Sequence, residues 1–248
     1  MKKIISLLLV IACFVSGSAL AETDIKTIDD EFEIRSGIRY GMTIAEAKEI
    51  EDKNGIECED MEYTTGSIRY ENISIAGIPN SELSFMGNGF DEEKYFDSLS
   101  NDESVMEYVE EYINTTPLAM IEYMFGGIGT ADQAKAVFSM INGSLTSKYG
   151  EPFTTDIDSR LYIETEAMIL DSYNNPAHRN RWKIIGFSEW LVKYQDCYVL
   201  ISEIADTSSY NTLCRLLYRF VSFEEMDSIV AKNQEFLNQM ATEMASDL

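Results

Sequence analysis

The chain is predicted to be an α+β protein in which antiparallel strands carry capped helices on one face and a further helix closes the C-terminus. Three observations lead there. Thr43-x-x-Glu46 and Thr130-x-x-Gln133 each precede apolar residues at helical spacing, the mark of a helix start whose side chains cap its free amides. Short alternating runs, separated by glycine, proline and asparagine turns, follow each of these helices. Ser222-x-x-Glu225 then opens a last apolar stripe of Met226, Ile229, Val230, Leu237, Met240 and Met244.

Residues 1–21 read as a targeting segment rather than as part of the fold. Lys2 and Lys3 form the positive end, Ile4 to Val15 the apolar run, and Ala19-Leu20-Ala21 a small-x-small site for cleavage after Ala21. That run is too short to span a bilayer, so no transmembrane helix is expected in the mature chain. A competing reading takes Val10-Ile11-Ala12-Cys13 as a lipobox and Cys13 as a lipid-modified first residue. Either processing exports the chain, as a secreted or cell-envelope protein.

Within residues 32–55, a short strand and a glycine turn lead to the capping box at Thr43. Ile44, Ala47 and Ile50 form the apolar side of the helix, with Lys48, Glu49, Glu51 and Asp52 expected in solvent and Gly55 as the stop. Farther on, Ile68, Tyr70, Asn72 and Ser74 alternate with Arg69, Glu71, Ile73 and Ile75. The turn Ala76-Gly77-Ile78-Pro79-Asn80 leads to a strand around Glu82–Met86. Residues 91–114 break this pattern with nine acids and one lysine. They read as an acidic amphipathic helix, capped at Ser100 and Glu103, whose inner stripe is Val105, Tyr108, Val109 and Tyr112.

Leu118 to Phe125 resumes as a strand and leads through Gly126-Gly127 to the second capped helix. Ala134, Val137, Phe138, Ile141 and Leu145 form its stripe, and Gly150 with Pro152 ends it. Residues 154–181 carry little pattern beyond the Asn174-Asn175-Pro176 turn and the basic cluster of His178, Arg179, Arg181 and Lys183. Strands are expected from Lys183 to Ala205 and from Leu213 to Val221. The nearly continuous apolar run 197–205 suits a strand covered on both faces. In the next run Cys214, Leu216, Tyr218 and Phe220 share one face, and Arg215 and Arg219 share the other with Leu213 and Leu217.

The two Thr-capped starts align with each other. One reading is a duplication, with a first helix-plus-sheet module at 22–126 containing the acidic insert and a second at 127–248 ending in the C-terminal helix. The other reading is two unrelated helices that use a common cap. Ile38-x-x-Gly41-Met42-Thr43-x-x-Glu46-Ala47 resembles the strand-glycine-capped-helix signature of the small outer-membrane lipoproteins of the barrel-assembly machinery. The same run is similar to the related fold of the β-lactamase-inhibitor protein. With Lys148-Tyr149-Gly150-Glu151-Pro152, the chain looks like secreted bacterial proteins of that general shape. The resemblance implies a non-catalytic, protein-binding or envelope-associated role. The chain departs from it in lacking Gly-x-Pro after the first helix, in carrying the acidic insert, and in having too few cysteines for the inhibitor's disulfides.

Composition narrows the function. A net charge of −24 repels nucleic acid and anionic lipid, whereas 45% apolar residues separate the chain from disordered acidic tails. Cys58, Cys197 and Cys214 remain after export, an odd number set in apolar or strand-like runs, so buried thiols are expected rather than a disulfide framework. A hairpin turning at 206–212 would place Cys197 opposite about position 220 rather than opposite Cys214. No Cys-x-x-Cys, Gly-x-Ser-x-Gly or phosphate-binding glycine loop is present, and His178 is the single histidine. Asp156-Ile157-Asp158 starts like a calcium loop, but Leu161 and Ala167 stand where glycine and glutamate are needed. No catalytic residue, metal ligand or cofactor is therefore assigned. The preferred reading is a module binding another protein or an envelope component through Tyr95, Tyr108, Tyr112, Glu107, Glu110 and Glu111, because aromatic residues ringed by charge anchor interfaces. The alternative is an exported hydrolase using paired carboxylates in a sheet cleft. A third possibility is self-association through Met240 and Met244.

Overall fold

The computed structural model describes residues 25–28, 32–35, 37–56, 60–62, 67–91, 95, 102–155, 182–208, 212–229 and 231. In chain order these hold β1 (Lys26–Ile28), β2 (Glu33–Arg35), β3 (Ile38–Arg39), α1 (Ile44–Lys53), β4 (Asp60–Glu62), β5 (Ser67–Ile75), β6 (Ile78–Gly87) and α2 (Asp102–Thr115). They continue with β7 (Leu118–Phe125), α3 (Ala131–Tyr149), β8 (Trp182–Tyr194), β9 (Cys197–Ser208) and β10 (Thr212–Ser222). Residues 223–229 and 231 are helical and are called α4. The fold is α+β, as its patterning predicts. The leader with Cys13 and Ala21, Cys58, Ser100, Asp156, Asp158, His178, Met240 and Met244 lie outside the described residues.

Eight strands form one sheet in the order β1-β8-β9-β10-β7-β6-β5-β4. All neighbours are antiparallel except β1, which runs parallel to β8 from Lys26 opposite Val192 to Ile28 opposite Tyr194. Beside β1, Thr154 bridges to Glu189 on the same side of β8. The run 22–31 carries too few residues of alternating polarity to announce β1. Strands β4–β7 and β8–β10 are two meanders, joined where Cys214 to Arg219 pair with Phe125 to Met120.

Three helices lie on one face of this sheet, here called the inner face. The caps form as their chemistry requires: Thr43 Oγ1 accepts from the Glu46 amide, and Glu46 accepts from the Thr43 amide. At α3 the Thr130 hydroxyl accepts from the Gln133 amide, but the return bond goes one residue upstream, from the Gly129 amide to Gln133 Oε1. Ile44 and Ala47 are buried under α1, and Ala134, Ile141 and Leu145 under α3. The indole N–H of Trp190 donates to the Gly150 carbonyl and ties the end of α3 to β8. Helix α2 packs against α1 and turns Val109, Tyr112 and Ile113 inward, Tyr112 lying beside Gly87 at the end of β6.

Three expectations need correction. Glu51 is completely buried rather than solvated, because Arg35 reaches it from β2. In β5 the alternation changes phase: Asn72 has φ of 55° and the pairing with β6 slips between Tyr70 and Ile73. This bulge lets Ile73 and Ile75 join Ile68 and Tyr70 in the same core instead of facing away. The following turn is also tighter than its composition suggests. Ala76 and Gly77, at φ of 52° and 81°, make a two-residue hairpin of the primed kind, and Ile78, Pro79 and Asn80 already belong to β6.

Strand β9 is covered on both faces. Val199, Ile201 and Ala205 enter the inner core, while Leu200 and Ile204 enter a smaller core on the outer face. Leu217, Val221, Phe187 and Leu191 share that second core with Met226 and Ile229 of α4, whose Ser222 cap accepts from the Glu225 amide. Cys197 and Cys214 are both free and buried, and Cys197 faces Ser222 across β9 and β10, two positions beyond the expected partner.

Two glycines test the packing in opposite directions. A Cβ on Gly126 would lie 1.4 Å from the Asn80 carbonyl oxygen, so Gly126→Ala must displace backbone and is expected to cost about 1–3 kcal/mol. Gly143 lies within α3 with open space around it, so Gly143→Ala is expected to add about 0.5–1 kcal/mol. Urea denaturation of the two variants checks both signs, and a stable Gly126→Ala protein would contradict the close approach.

Candidate functional site

Within the acidic insert, residues 102–115 form helix α2, and Tyr95, Tyr108 and Tyr112 turn toward the protein's own interior. Phe90 gathers them, with ring centroids 5.7 Å from Tyr95, 5.6 Å from Tyr108 and 5.1 Å from Tyr112. Tyr95 and Tyr112 are buried and Tyr108 is half-buried. The Tyr108 hydroxyl accepts from the Asp91 amide and donates to the Asp91 carbonyl. Burial, with Tyr108 adding, pushes the Tyr112 phenol up to about 12. These rings anchor α2 to its own sheet, each pair contributing about 0.5–1.5 kcal/mol beyond the area it buries. The correction follows from helical geometry: the stripe that supplied the aromatic anchors is the inward one. Glu107, Glu110 and Glu111 stay exposed, and Met106, 49% exposed, joins them on the outer side.

Buried carboxylates, one on α1 and three within the sheet, form the second arrangement with chemical potential. Glu51, Glu189, Glu203 and Asp206 are all shielded from solvent. Glu51 takes a two-point contact from Arg35, at 2.7 Å and 3.3 Å. Glu189 Oε1 accepts from the Ser202 hydroxyl at 3.0 Å, directly across β8 and β9. Asp206 Oδ2 meets Arg215 at 3.2 Å. Glu203 Oε2 accepts from Asn142 of α3 at 3.2 Å, and the same amide group donates to Ser188 Oγ at 2.7 Å. Among the described residues, Glu203 Oε1 has no hydrogen-bond partner.

Strand alternation keeps these groups apart. Glu203 projects with Ile201 and Ala205 to the inner face, whereas Glu189 and Asp206 project with Phe187, Leu191 and Ile204 to the outer one. Burial raises the Asp206 carboxyl against the opposing pull of Arg215. Burial likewise raises Glu122, half-buried on the outer face of β7, with Arg215 and Arg69 pulling it down and Glu82 adding to the rise. Glu203 lacks such a cation, and burial pushes it up to about 8 against the hydrogen bond from Asn142.

Neither described cysteine is poised as a nucleophile. Burial pushes the Cys197 thiol up to about 11 and the Cys214 thiol up to about 12, whereas nucleophilic attack needs the thiolate. Among the described residues, no group of three or more His, Cys, Asp or Glu side chains is placed to hold a metal ion. Nor is any described helix long and apolar enough to cross a membrane. No known family, curated protein or solved structure matches the chain.

Glu203 and Asn142 escape the sequence pattern because each is a polar residue in a segment whose apolar positions alone define the predicted element. The available signal was Glu203 itself, the one acid in the continuous apolar run 197–205. The Arg35–Glu51 pair yields a direct test. Arg35→Met leaves a fully buried carboxylate without its cation and is expected to cost about 3 kcal/mol. Adding Glu51→Leu should recover most of that loss in chemical denaturation, and equal stability of the single and double variants would refute the pairing.

Proposed function

We propose that this chain is an exported, non-catalytic binding module that takes a basic protein segment on the outer stripe of α2. The observation that carries the reading is the division of labour within that helix. Its tyrosines are engaged inside, and Met106, Glu107, Glu110 and Glu111 are held outside on a fixed framework. Glu110 and Glu111 lie toward the C-terminal end of the helix, where the backbone dipole disfavours negative charge, and the last turn has no basic residue to offset it. A cationic partner would relieve that repulsion, and the exposed Met106 offers a flexible apolar contact beside it. Export rests on residues 1–21, with cleavage after Ala21 or lipid attachment at Cys13 as the two routes to a secreted or envelope-held protein. The resemblance to inhibitor and assembly-lipoprotein folds points toward the same kind of role.

One observation favours the hydrolase reading, namely the unpartnered oxygen of Glu203 with its raised carboxyl. Against it, each buried carboxylate has its own structural partner, and Glu203 lies across the sheet from Glu189 and Asp206. A broad screen of glycoside and peptide substrates with turnover abolished by Glu203→Gln would establish that second reading.

The test of the first is charge reversal. The triple variant Glu107→Lys, Glu110→Lys, Glu111→Lys is expected to keep its fold and to lose at least tenfold in affinity for cationic partners captured by the wild-type protein. Wild-type binding should also weaken with added salt, since exposed charges are screened. Unchanged capture by the reversed variant would remove α2 as the docking element.

A further inference from the structure

We propose that Glu203 is a pH-sensitive latch: as a neutral acid it seats α3 on the sheet through Asn142, and its ionisation loosens that helix. The geometry begins with an unbalanced set of partners. The amide nitrogen of Asn142 has two hydrogens and uses them on Ser188 Oγ and Glu203 Oε2, leaving Oε1 without a donor. An ionised carboxylate can only accept hydrogen bonds, so a buried carboxylate oxygen with no donor is costly. A protonated carboxyl still leaves one polar atom unmatched, but burying a neutral group costs far less than burying a charge.

Among the described residues, the surroundings offer the charged form the hydrogen bond from Asn142 but no cation. From α3 come Asn142 and, at its far end, Tyr149; from β8 comes Ser188; from β10 come Cys214, Leu216 and Tyr218. Among the titratable members of this set, Tyr218 is pushed well above its ordinary value, by burial first and with Glu203 among the smaller contributors. The Cys214 thiol is pushed up to about 12 by burial and then by the charge of Glu203. None of these groups is a cation under neutral conditions. Arg35 is committed to Glu51, and Arg215 to Asp206 on the outer face.

The contact also sits at a sensitive place in the packing. A Cβ added at Gly186, close to Ser188 on β8, would lie 3.0 Å from the ring of Phe138, so α3 approaches the sheet closely beside the latch. Negative charge under that helix favours any opening that admits water to Glu203. The sign of the effect follows from linkage. The fold holds the proton more tightly than the unfolded chain does, so this group's contribution falls as pH rises from the ordinary carboxylate range through about 8, and is level above that.

Hydrogen–deuterium exchange across pH 6–9, corrected for its intrinsic pH dependence, tests the proposal on the full chain. Protection of the α3 amides is expected to fall about tenfold or more relative to α1, and Glu203→Gln is expected to remove that fall. Equal pH dependence in the two helices, or an unchanged dependence in Glu203→Gln, would overturn the latch. If the variant does not fold, carbon NMR of the wild-type Glu203 carboxyl decides. Its titration midpoint must coincide with the loss of α3 protection, and separate midpoints would reject the proposal.

Discussion

The antiparallel pairing of β7 with β10 is the constraint on which the rest of this structure depends. From Cys214 opposite Phe125 to Arg219 opposite Met120, it converts two meanders into one sheet. Because alternation in register decides which side chains share a face, this seam aligns Tyr123 with Leu216 and Ile121 with Tyr218 on the inner side. The aromatic core beneath the helices is thereby continuous: Tyr123 meets Tyr218, while Phe220 meets Phe32 and Tyr40 from the opening strands. A slip of one residue would send these rings outward and bring Arg215 and Arg219 in.

Much of this was legible from residues 213–220, where alternation is unbroken and Cys214, Leu216, Tyr218 and Phe220 share one face. The capped helices were legible as well, since a threonine followed by Glu or Gln three residues later states its own geometry. What escaped has physical reasons. Glu51 looks like a surface acid because a helix wheel cannot show that an arginine sixteen residues upstream will fold over it. Ile73 and Ile75 appear on the wrong face because one residue, Asn72, adopts a left-handed conformation and resets the count. Alternation reports parity, and a single bulge inverts it.

The candidate sites show the same limit. The acidic insert reads as one surface, yet α2 sends Tyr108 and Tyr112 inward, with Tyr95 buried beside them, and leaves Glu107, Glu110 and Glu111 in solvent. Helical spacing contained that division, since Tyr108 and Tyr112 stand four apart on the apolar stripe, whereas Glu107, Glu110 and Glu111 do not join it. Glu203 was harder to find, because its importance arises from Asn142 on a helix more than fifty residues earlier, and that meeting is a product of the fold.

The parallel addition of β1 to β8 has a consequence for self-assembly. A long outer strand with free amides is a template on which further copies can stack, and β8 is the longest strand here. Lys26 to Ile28 occupy its flank from Val192 to Tyr194, and Phe153 and Thr154 take up the hydrogen bonds of Glu189. At the opposite limit of the sheet stands only the three-residue β4. Two short segments of modest sequence thus occupy part of an edge on which another strand could otherwise pair.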